Sequence, residues 1–225
     1  GITPYYLSLF DRDSSRRWDH AVRAQVIPPL SYVNSIISPR VQSPQDLDFM
    51  KEGQTSPVDL VTRRYPMIAI LKPYNTCAQI CVYCQRNWEI DNVTRAENAL
   101  ASDEQIERAL QWFREHPKVT EVLITGGDPA LMDDDVLVEL LQKVSDIKHV
   151  SRIRIGTRLP VVLPMRFTDR LVTTIGRFHR PPGQDLCLVT HFEHPYEITP
   201  EAVEVVQKLR MQGLAVYNQQ VFTIE

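Results

Sequence analysis

The sequence lacks long apolar runs, has few cysteines and carries almost no net charge, and each shortage excludes a class of protein. No run of the roughly 18 apolar residues that a membrane-spanning helix needs is present. Four cysteines in 225 residues exclude a disulfide-rich secreted scaffold and favour the reducing cytoplasm. A net charge of −3 gives no reason to expect a nucleic acid or a membrane surface as partner. A hydrophobic content of 43% predicts an ordinary globular fold with a sizeable core.

Three of the four cysteines lie close together, and they are the most informative feature of the chain. Cys77, Cys81 and Cys84 follow the spacing C-x3-C-x2-C. Thiolate is the ligand that iron–sulfur clusters favour, and four such ligands are usual. A set of three therefore predicts a cluster with one iron open to a substrate or a cofactor.

The same spacing leaves a zinc site and inert thiols open as alternatives. C-x2-C pairs are common in zinc sites, which usually bring a second pair of ligands from further along the chain. Here that pair would be Cys187 with a histidine, either His191 or His194. By itself, a single cysteine in an apolar run such as Cys187 is typical of a buried structural thiol.

Residues 1–62 are predicted to form a helical extension that lies over a larger domain. Prolines at Pro28, Pro39 and Pro44 divide this segment into short helical pieces, and it contains no strand-like run. Aromatic residues such as Tyr6 and Trp18 make the segment too apolar to remain a free linker.

Residues 63–225 alternate between strand and helix patterns. Five apolar runs predict strands, at residues 67–71, 119–125, 150–157, 186–190 and 214–222. Helices are predicted to begin at Ser102, where Gln105 completes a capping box, near Asp133, and at Thr199. Repeated strand–helix units predict an α/β fold, a parallel sheet with helices outside it. Periodicity alone leaves an open sheet and a curved barrel as alternatives.

The cysteine loop and several other segments resemble a known family. C-x3-C-x-aromatic-C, with Tyr83 as the aromatic residue, resembles the cluster loop of radical S-adenosylmethionine (SAM) enzymes. Six further segments are similar to lysine 2,3-aminomutase, in the same order and at similar spacing. They are GITPYYLSL from Gly1, RYP from Arg64, LITGGDP from Leu123, RIGTRLPVVLP from Arg154, THFEHPYEIT from Thr190 and NQ at Asn218. The resemblance implies the partial (β/α)6 barrel of radical SAM enzymes, with five strands visible here after the N-terminal extension.

The resemblance also implies where the chain stops and where its functional residues lie. The family's barrel has a sixth strand, and the aminomutases carry a further C-terminal segment, so we expect the C-terminal part to be missing. In barrels of this kind, active residues gather at the C-terminal ends of the strands. The motifs found at predicted strand ends are Cys77, Gly126-Gly127-Asp128, Thr157-Arg158 and His191.

Two cofactors and their ligands follow from the resemblance. Cys77, Cys81 and Cys84 are implied to hold a [4Fe–4S] cluster whose open iron binds SAM, the source of a 5′-deoxyadenosyl radical. The residues implied to face SAM are Tyr83 beside the adenine, Gly126, Gly127 and Asp128 at the methionyl amino group, and Arg158, His191 and Gln219 at strand ends. Glycines let a backbone approach a ligand closely, and a carboxylate complements an ammonium group.

The substrate region matches the aminomutase only in part. Arg86 matches the arginine that holds the substrate carboxylate, a task that suits a planar guanidinium, but two non-basic residues follow it here. Pyridoxal phosphate (PLP) is a third cofactor that the resemblance allows. Arg64 and Tyr65 match part of its phosphate-binding set, while a third basic position of that set is Ile68 here.

The expected function is therefore amino-group migration on an amino acid, a small-molecule substrate, driven by a radical. The resemblance implies an electron donor such as flavodoxin or ferredoxin, and it allows a homo-oligomer. Two alternatives stay open. One is a radical SAM enzyme that acts on another substrate without PLP, and the other is a non-catalytic module that binds a cluster or zinc.

Overall fold

Six strands form one sheet in the described part of the chain, and five of them are parallel. The computed structural model describes residues 1–11, 13, 19–38, 43–87, 89–90 and 99–222. In sheet order and in chain order, the strands are β1 (Val61–Thr62), β2 (Ile68–Tyr74), β3 (Glu121–Gly126), β4 (Arg152–Gly156), β5 (Asp185–Thr190) and β6 (Ala215–Asn218). β1 pairs antiparallel with β2, and each later strand pairs parallel with the one before it. The sheet is open, as the partial barrel of the resemblance implies.

The helices alternate with the parallel strands, as the sequence pattern predicts. They are α1 (Pro4–Leu7), α2 (His20–Ala24), α3 (Leu30–Ile36), α4 (Asp103–Glu115), α5 (Asp134–Ser145), α6 (Leu159–Val162), α7 (Asp169–Gly176) and α8 (Pro200–Met211). The predicted capping box is confirmed at the start of α4, where Ser102 and Gln105 bond reciprocally. Thr199 caps α8 through the backbone N–H of Ala202. Within the described residues, every helix is too short or too polar to cross a membrane.

The two faces of the sheet differ in burial. On one face, alternate residues of the central strands, such as Val122, Ile124, Ile153 and Ile155, are at most 1% exposed and share one core with the helices. On the other face, polar side chains alternate with apolar ones and stay partly exposed. Among them is Arg152, which donates from Nε to Asp185 Oδ2 at 2.9 Å. The core therefore lies between the sheet and its helices.

Described residues of the N-terminal extension contact the larger unit, for example Thr3, which donates to the carbonyl of Val162, and two features of the chain differ from the predictions. Tyr6 and Val22 of the extension are fully buried. The expectation of no strand in residues 1–62 was wrong, because β1 adds a short antiparallel edge to β2. The fifth predicted strand was too long, because β6 ends at Asn218. Beyond it, the backbone N–H of Val221 donates to the side chain of Glu193 and not to a neighbouring strand.

Candidate active site

The predicted functional residues that follow strands meet at one edge of the sheet. Because β2 to β6 are parallel, their carboxyl ends share that edge. The residues that come directly after these ends are the loop from Cys77 to Cys84 after β2, Gly127 and Asp128 after β3, Arg158 after β4, His191 after β5 and Gln219 after β6. The placement expected from the strand pattern is confirmed.

The cysteine loop is a half-buried turn. All three of its cysteines are free thiols of intermediate exposure. Burial raises the pKa of the Cys84 thiol to about 11, and burial likewise raises the pKa of the Cys77 thiol. Without a metal, both side chains are therefore neutral. A metal that takes the place of the proton would relieve the cost of burying a thiolate.

The N-terminal extension holds this loop from outside. The backbone N–H of Val82 donates to the carbonyl of Gln25 at 2.8 Å. The side chain of Asn87 donates to the hydroxyl of Tyr32 at 2.5 Å. Gln85 and Arg86 donate to Glu52, so residues from three separate parts of the extension hold the loop and the three residues that follow it. The extension is thus part of the site.

Gly126 and Gly127, at the end of β3, pack against the backbone that leads into the cysteine loop, and this contact requires glycine at both positions. Gly126 has φ of 121°, and a side chain there would place Cβ 2.7 Å from the carbonyl oxygen of Tyr74. A Cβ on Gly127 would overlap the backbone of Thr76, the residue before Cys77. The close backbone approach that these glycines permit is therefore to β2 and its loop.

Asp128 is buried, and its carboxylate bonds within the protein. Oδ2 accepts from the backbone N–H of Arg158 at 2.8 Å, and Oδ1 accepts from that of Ala130 at 3.1 Å. Burial raises the pKa of Asp128 above its usual value, although these bonds oppose the rise. The carboxylate joins the ends of β3 and β4 beside the cysteines. Contact with an ammonium of SAM stays a prediction.

Arg158 connects the end of β4 to a cysteine. Its Nη1 donates to Cys81 Sγ at 2.8 Å, and its Nη2 donates to Glu197 Oε1 at 2.7 Å. The guanidinium also lies 5.5 Å from the ring centres of Tyr6 and Tyr83. The structure thus gives this arginine protein partners on several sides.

Several buried polar atoms near the cysteines have no hydrogen-bond partner among the described residues. They are the hydroxyl of Tyr83, Oγ1 of Thr190, Nδ1 of His191 and Oε1 of Glu193. His191 Nδ1 and Glu193 Oε1 lie 3.6 Å apart, just beyond a hydrogen bond, so this ion pair is loose; burial raises the pKa of Glu193, but His191 and Tyr83 are among the neighbours that lower it overall. Orphaned polar atoms are costly in a protein interior, so a group of them beside half-buried thiols indicates a place for a polar ligand.

Comparison with known proteins agrees with this geometry. The family described as "Radical SAM superfamily" matches residues 71–175, which include the cysteine loop and the glycine motif. An uncharacterized KamA family protein of Methanocaldococcus jannaschii is 48% identical over 99% of this chain and 35% of its own length. An L-lysine 2,3-aminomutase of Fusobacterium nucleatum is 37% identical, over 98% of this chain and 48% of its own. A glutamate 2,3-aminomutase of Clostridioides difficile is 34% identical over the same shares.

Residues 71–175 thus match the radical SAM superfamily, and nearly the whole chain is similar to lysine 2,3-aminomutases. The chain spans between a third and about half of the length of these relatives. Radical SAM enzymes hold a [4Fe–4S] cluster and SAM, and the residues at the carboxyl edge fit both groups. Three soft sulfur donors suit iron, and the orphaned polar atoms beside them suit a polar cofactor.

A zinc site that uses Cys187 does not fit this radical SAM fold. Cys187 lies inside β5, three residues before its end, and its Sγ is 3.8 Å from the carbonyl of Ile153. Its charged neighbours include Asp185 and Arg154, away from the cysteine loop. No three Cys, His, Asp or Glu side chains of the described ranges converge on a single-ion position. A cluster spreads its thiolates over different irons, so this spacing is no obstacle to it.

Three of the predicted residues lie apart from the cysteines or at the surface. Arg64 and Tyr65 precede β2, so they lie at the amino edge of the sheet, opposite the cysteine loop. Both are exposed, and Arg64 Nη2 donates to the carbonyl of Met50 at 2.7 Å. Gln219 follows β6 at the carboxyl edge, and its side chain is exposed. Contacts of these three residues with PLP or SAM stay predictions.

Arg86, the predicted substrate ligand, is paired with a carboxylate of the protein itself. Its Nε donates to both oxygens of Glu52 at 2.9 and 3.0 Å, and both side chains are buried. Lys72 lies 3.6 Å from Glu52 and 3.0 Å from Glu89. Arg86 therefore belongs to a network of two cations and two carboxylates beside the cysteine loop, in which Arg86 and Glu52 are buried and Lys72 and Glu89 partly exposed.

Sequence reasoning missed four residues that support the candidate site. Glu52 and Gln25 lie in the extension, where no pattern distinguished them from other polar residues. Tyr6 and Glu197 lie within the segments that resemble the aminomutase, so the resemblance already contained a signal for them.

Proposed function

We propose that this chain forms the cluster- and SAM-binding part of a radical enzyme that moves an amino group between adjacent carbons of an amino acid. The observation that carries the proposal is the half-buried loop of three cysteines next to orphaned polar atoms at the neighbouring strand ends. The curated relatives act, by their names, on lysine and on glutamate. These substrates share an amino acid backbone and differ in side-chain charge, so the proposal extends to the class of substrate only.

The bound cluster and SAM would together supply one-electron chemistry that generates a 5′-deoxyadenosyl radical. The residues of this chain would hold, orient and shield them. Cys77, Cys81 and Cys84 would hold the cluster, and Tyr83 would lie against SAM. His191 at the end of β5 would offer SAM its orphaned Nδ1. Burial around the loop would keep water away from the radical.

Arg86 is the proposed ligand of the substrate carboxylate. Its Nε is held by Glu52, whereas Nη1 and Nη2 donate no hydrogen bond to any described residue. A guanidinium fixed at Nε keeps two parallel donors for a second carboxylate, the arrangement in which arginine binds carboxylates bidentately. Lys72 adds positive charge to the same network and partly balances Glu52. The pairing with Glu52 therefore supports the proposed role.

PLP is proposed as a further cofactor, with Arg64 and Tyr65 at its phosphate. Both residues are exposed, and the guanidinium of Arg64 donates one bond to the carbonyl of Met50. We also propose a flavodoxin- or ferredoxin-type electron donor, because the chemistry needs single electrons. A location in the cytoplasm would suit the free thiols. Assembly into a homo-oligomer is proposed from the family resemblance alone.

Anaerobic reconstitution tests the proposal. The protein is supplied with iron and sulfide, then with SAM and dithionite, and iron content and 5′-deoxyadenosine are measured. We expect about four irons per chain and release of 5′-deoxyadenosine. Cys81→Ala should abolish both, whereas Cys187→Ala, which removes a buried thiol outside the loop, should retain both. Iron binding that survives Cys81→Ala would contradict the cluster assignment.

The substrate proposal has its own test. Amino acids are screened, with and without PLP, for an increase in the rate of 5′-deoxyadenosine formation. Arg86→Ala should leave SAM cleavage without substrate intact, yet abolish the increase that an amino acid causes. An unchanged response would remove Arg86 from the substrate site. A protein that binds one zinc and forms no 5′-deoxyadenosine would favour the non-catalytic module.

A further inference from the structure

Arg158 is a buried cation whose three guanidinium nitrogens all donate hydrogen bonds. The residue follows β4 and is 7% exposed. Nε donates to the carbonyl of His191 at 3.3 Å, and Nη1 donates to Cys81 Sγ at 2.8 Å. Nη2 donates to Glu197 Oε1 at 2.7 Å and to Gln25 Oε1 at 2.5 Å. The guanidinium is therefore fixed in one position.

The bond to Cys81 brings a positive charge to one of the three predicted cluster ligands. Hydrogen bonds to the sulfurs of an iron–sulfur cluster, together with local charge and burial, set its reduction potential. Reduction adds one negative charge to a cluster. A cation within hydrogen-bond distance of a ligand sulfur stabilises that reduced state more than the oxidised one.

Glu197 holds the arginine from the side away from the cysteine. Its carboxylate is fully buried and accepts four hydrogen bonds. Oε1 accepts from Arg158 and from the hydroxyl of Tyr6, the latter at 2.6 Å, while Oε2 accepts from the backbone N–H groups of Glu193 and His194. A carboxylate with four donors has little freedom to move, so it fixes the guanidinium and partly neutralises it.

The N-terminal extension completes this arrangement. Gln25 accepts from Arg158 through its side chain and from the backbone N–H of Val82 through its carbonyl. One residue of the extension thus connects the arginine to the loop residue that follows Cys81. Tyr6 lies against the guanidinium and bonds to Glu197.

We propose that Arg158 is a positioning residue that raises the reduction potential of the cluster through Cys81, and that Glu197 and the N-terminal extension hold it there. The inference rests on the proposed function, because it requires a cluster on the three cysteines. It gives Arg158 a role through a cluster ligand, and it gives Tyr6 and Gln25 of the extension a part in setting the reduction potential.

Redox titration of the reconstituted full chain, followed by electron paramagnetic resonance of the reduced cluster, tests the proposal. Arg158→Gln should shift the midpoint potential to more negative values. We expect the ratio of reduced to oxidised cluster at the wild-type midpoint to fall about tenfold, or about 59 mV for one electron. Glu197→Gln should shift the potential in the opposite direction, because the charge of Arg158 is then no longer neutralised. A merely structural role would not produce shifts of opposite sign.

Arg166→Gln is the matched control. Arg166 is a partly buried arginine that pairs with Asp134 Oδ1 at 2.6 Å and donates to the carbonyl of Met132 at 2.7 Å. Like Arg158, it pairs with a carboxylate and donates to a backbone carbonyl, but it has no hydrogen bond to a cysteine. Its replacement should leave the potential at the wild-type value.

The outcomes separate this inference from the proposed function. A wild-type protein that binds no iron would refute the proposed function itself. A wild-type cluster whose potential is the same in Arg158→Gln, at equal iron content, would overturn the inference alone. Where Arg158→Gln does not retain iron, Glu197→Gln decides: a positive shift supports the role of Arg158, and an unchanged or more negative potential overturns it.

Discussion

Replacing Glu52 by glutamine tests the buried ion pair between Glu52 of the extension and Arg86, just after the cysteine loop. The side chain of Glu52 is 3% exposed, and both of its oxygens lie within 3.0 Å of Arg86 Nε. Lys72, the second cation, also has Glu89 at 3.0 Å, whereas Glu52 is the one described carboxylate paired with Arg86. Glutamine keeps the shape and one acceptor oxygen, but it leaves Arg86 buried without an opposite charge.

The size of the effect follows from the burial of the pair. Two unit charges 4 Å apart interact by about 4 kcal/mol at an effective dielectric constant of about 20. Removing one member of a buried ion pair costs about 3–5 kcal/mol. Because glutamine can still accept one bond and Lys72 keeps Glu89, we expect the free energy of unfolding to fall by about 2–4 kcal/mol. A domain with a typical stability of about 5–15 kcal/mol would remain folded.

Urea unfolding, followed by circular dichroism, measures this loss by linear extrapolation. The slope against urea should not change, because the surface exposed on unfolding is the same. Glu204→Gln is the control, since Glu204 forms an exposed pair with Lys208 at 2.8 Å. Such surface pairs contribute about 0–1 kcal/mol. If Glu52→Gln costs no more than this control, the reasoning about a buried, unpaired Arg86 is refuted.

Three further predictions concern the packing, a helix cap and the pH dependence. Gly127→Ala should lower both the melting temperature and the iron content, because its Cβ would overlap the backbone of Thr76; normal values of both would contradict the packing argument. Ser102→Ala should cost about 1 kcal/mol in urea unfolding, since it removes the cap of α4, and a loss below about 0.3 kcal/mol would refute this. Burial alone would raise the pKa of Asp19, but bonds from the backbone of Asp11 and from Arg23 outweigh it and hold the pKa below its ordinary value of 3.8. The stability that Asp19 adds is thus complete above that value and is lost as the pH falls through the folded-state pKa, so Asp19→Asn should make the acid loss of stability shallower; an equally steep loss would contradict this.

The parallel core of the fold was predictable, because its signals are local. Apolar runs and helix caps such as Ser102 with Gln105 depend on near neighbours in the chain, and the structure has them where the sequence indicates. The end of β6 and the short β1 were not predictable. Each depends on a partner distant in sequence, such as the pairing of Val61 with Leu71 or the bond from Val221 to Glu193.

The candidate site likewise has residues that the sequence predicts and contacts that it does not. The three cysteines and the glycine motif are visible as spacings, and their places after β2 and β3 follow from the strand pattern. The hydrogen-bond partners of nearby residues such as Arg158 and Arg86 cannot be read from the sequence. Arg158 was expected to face SAM, and the structure adds its bonds to Cys81 and Glu197. Arg86 was expected to meet a substrate carboxylate, and the structure adds its pairing with Glu52.

By itself, the sequence determined the cysteine loop, the strand–helix alternation and, through resemblance, the family, because these are encoded by residue spacing along the chain. Only the tertiary structure decided that Gln25 and Glu52 of the extension hold the cysteine loop and the residues just after it. It also decided which face of the sheet is buried and which charges are paired. Burial and ion pairing depend on groups that folding brings together from distant positions, such as Arg86 and Glu52, 34 positions apart, or Arg158 and Gln25, 133 positions apart, and no local pattern records such distances.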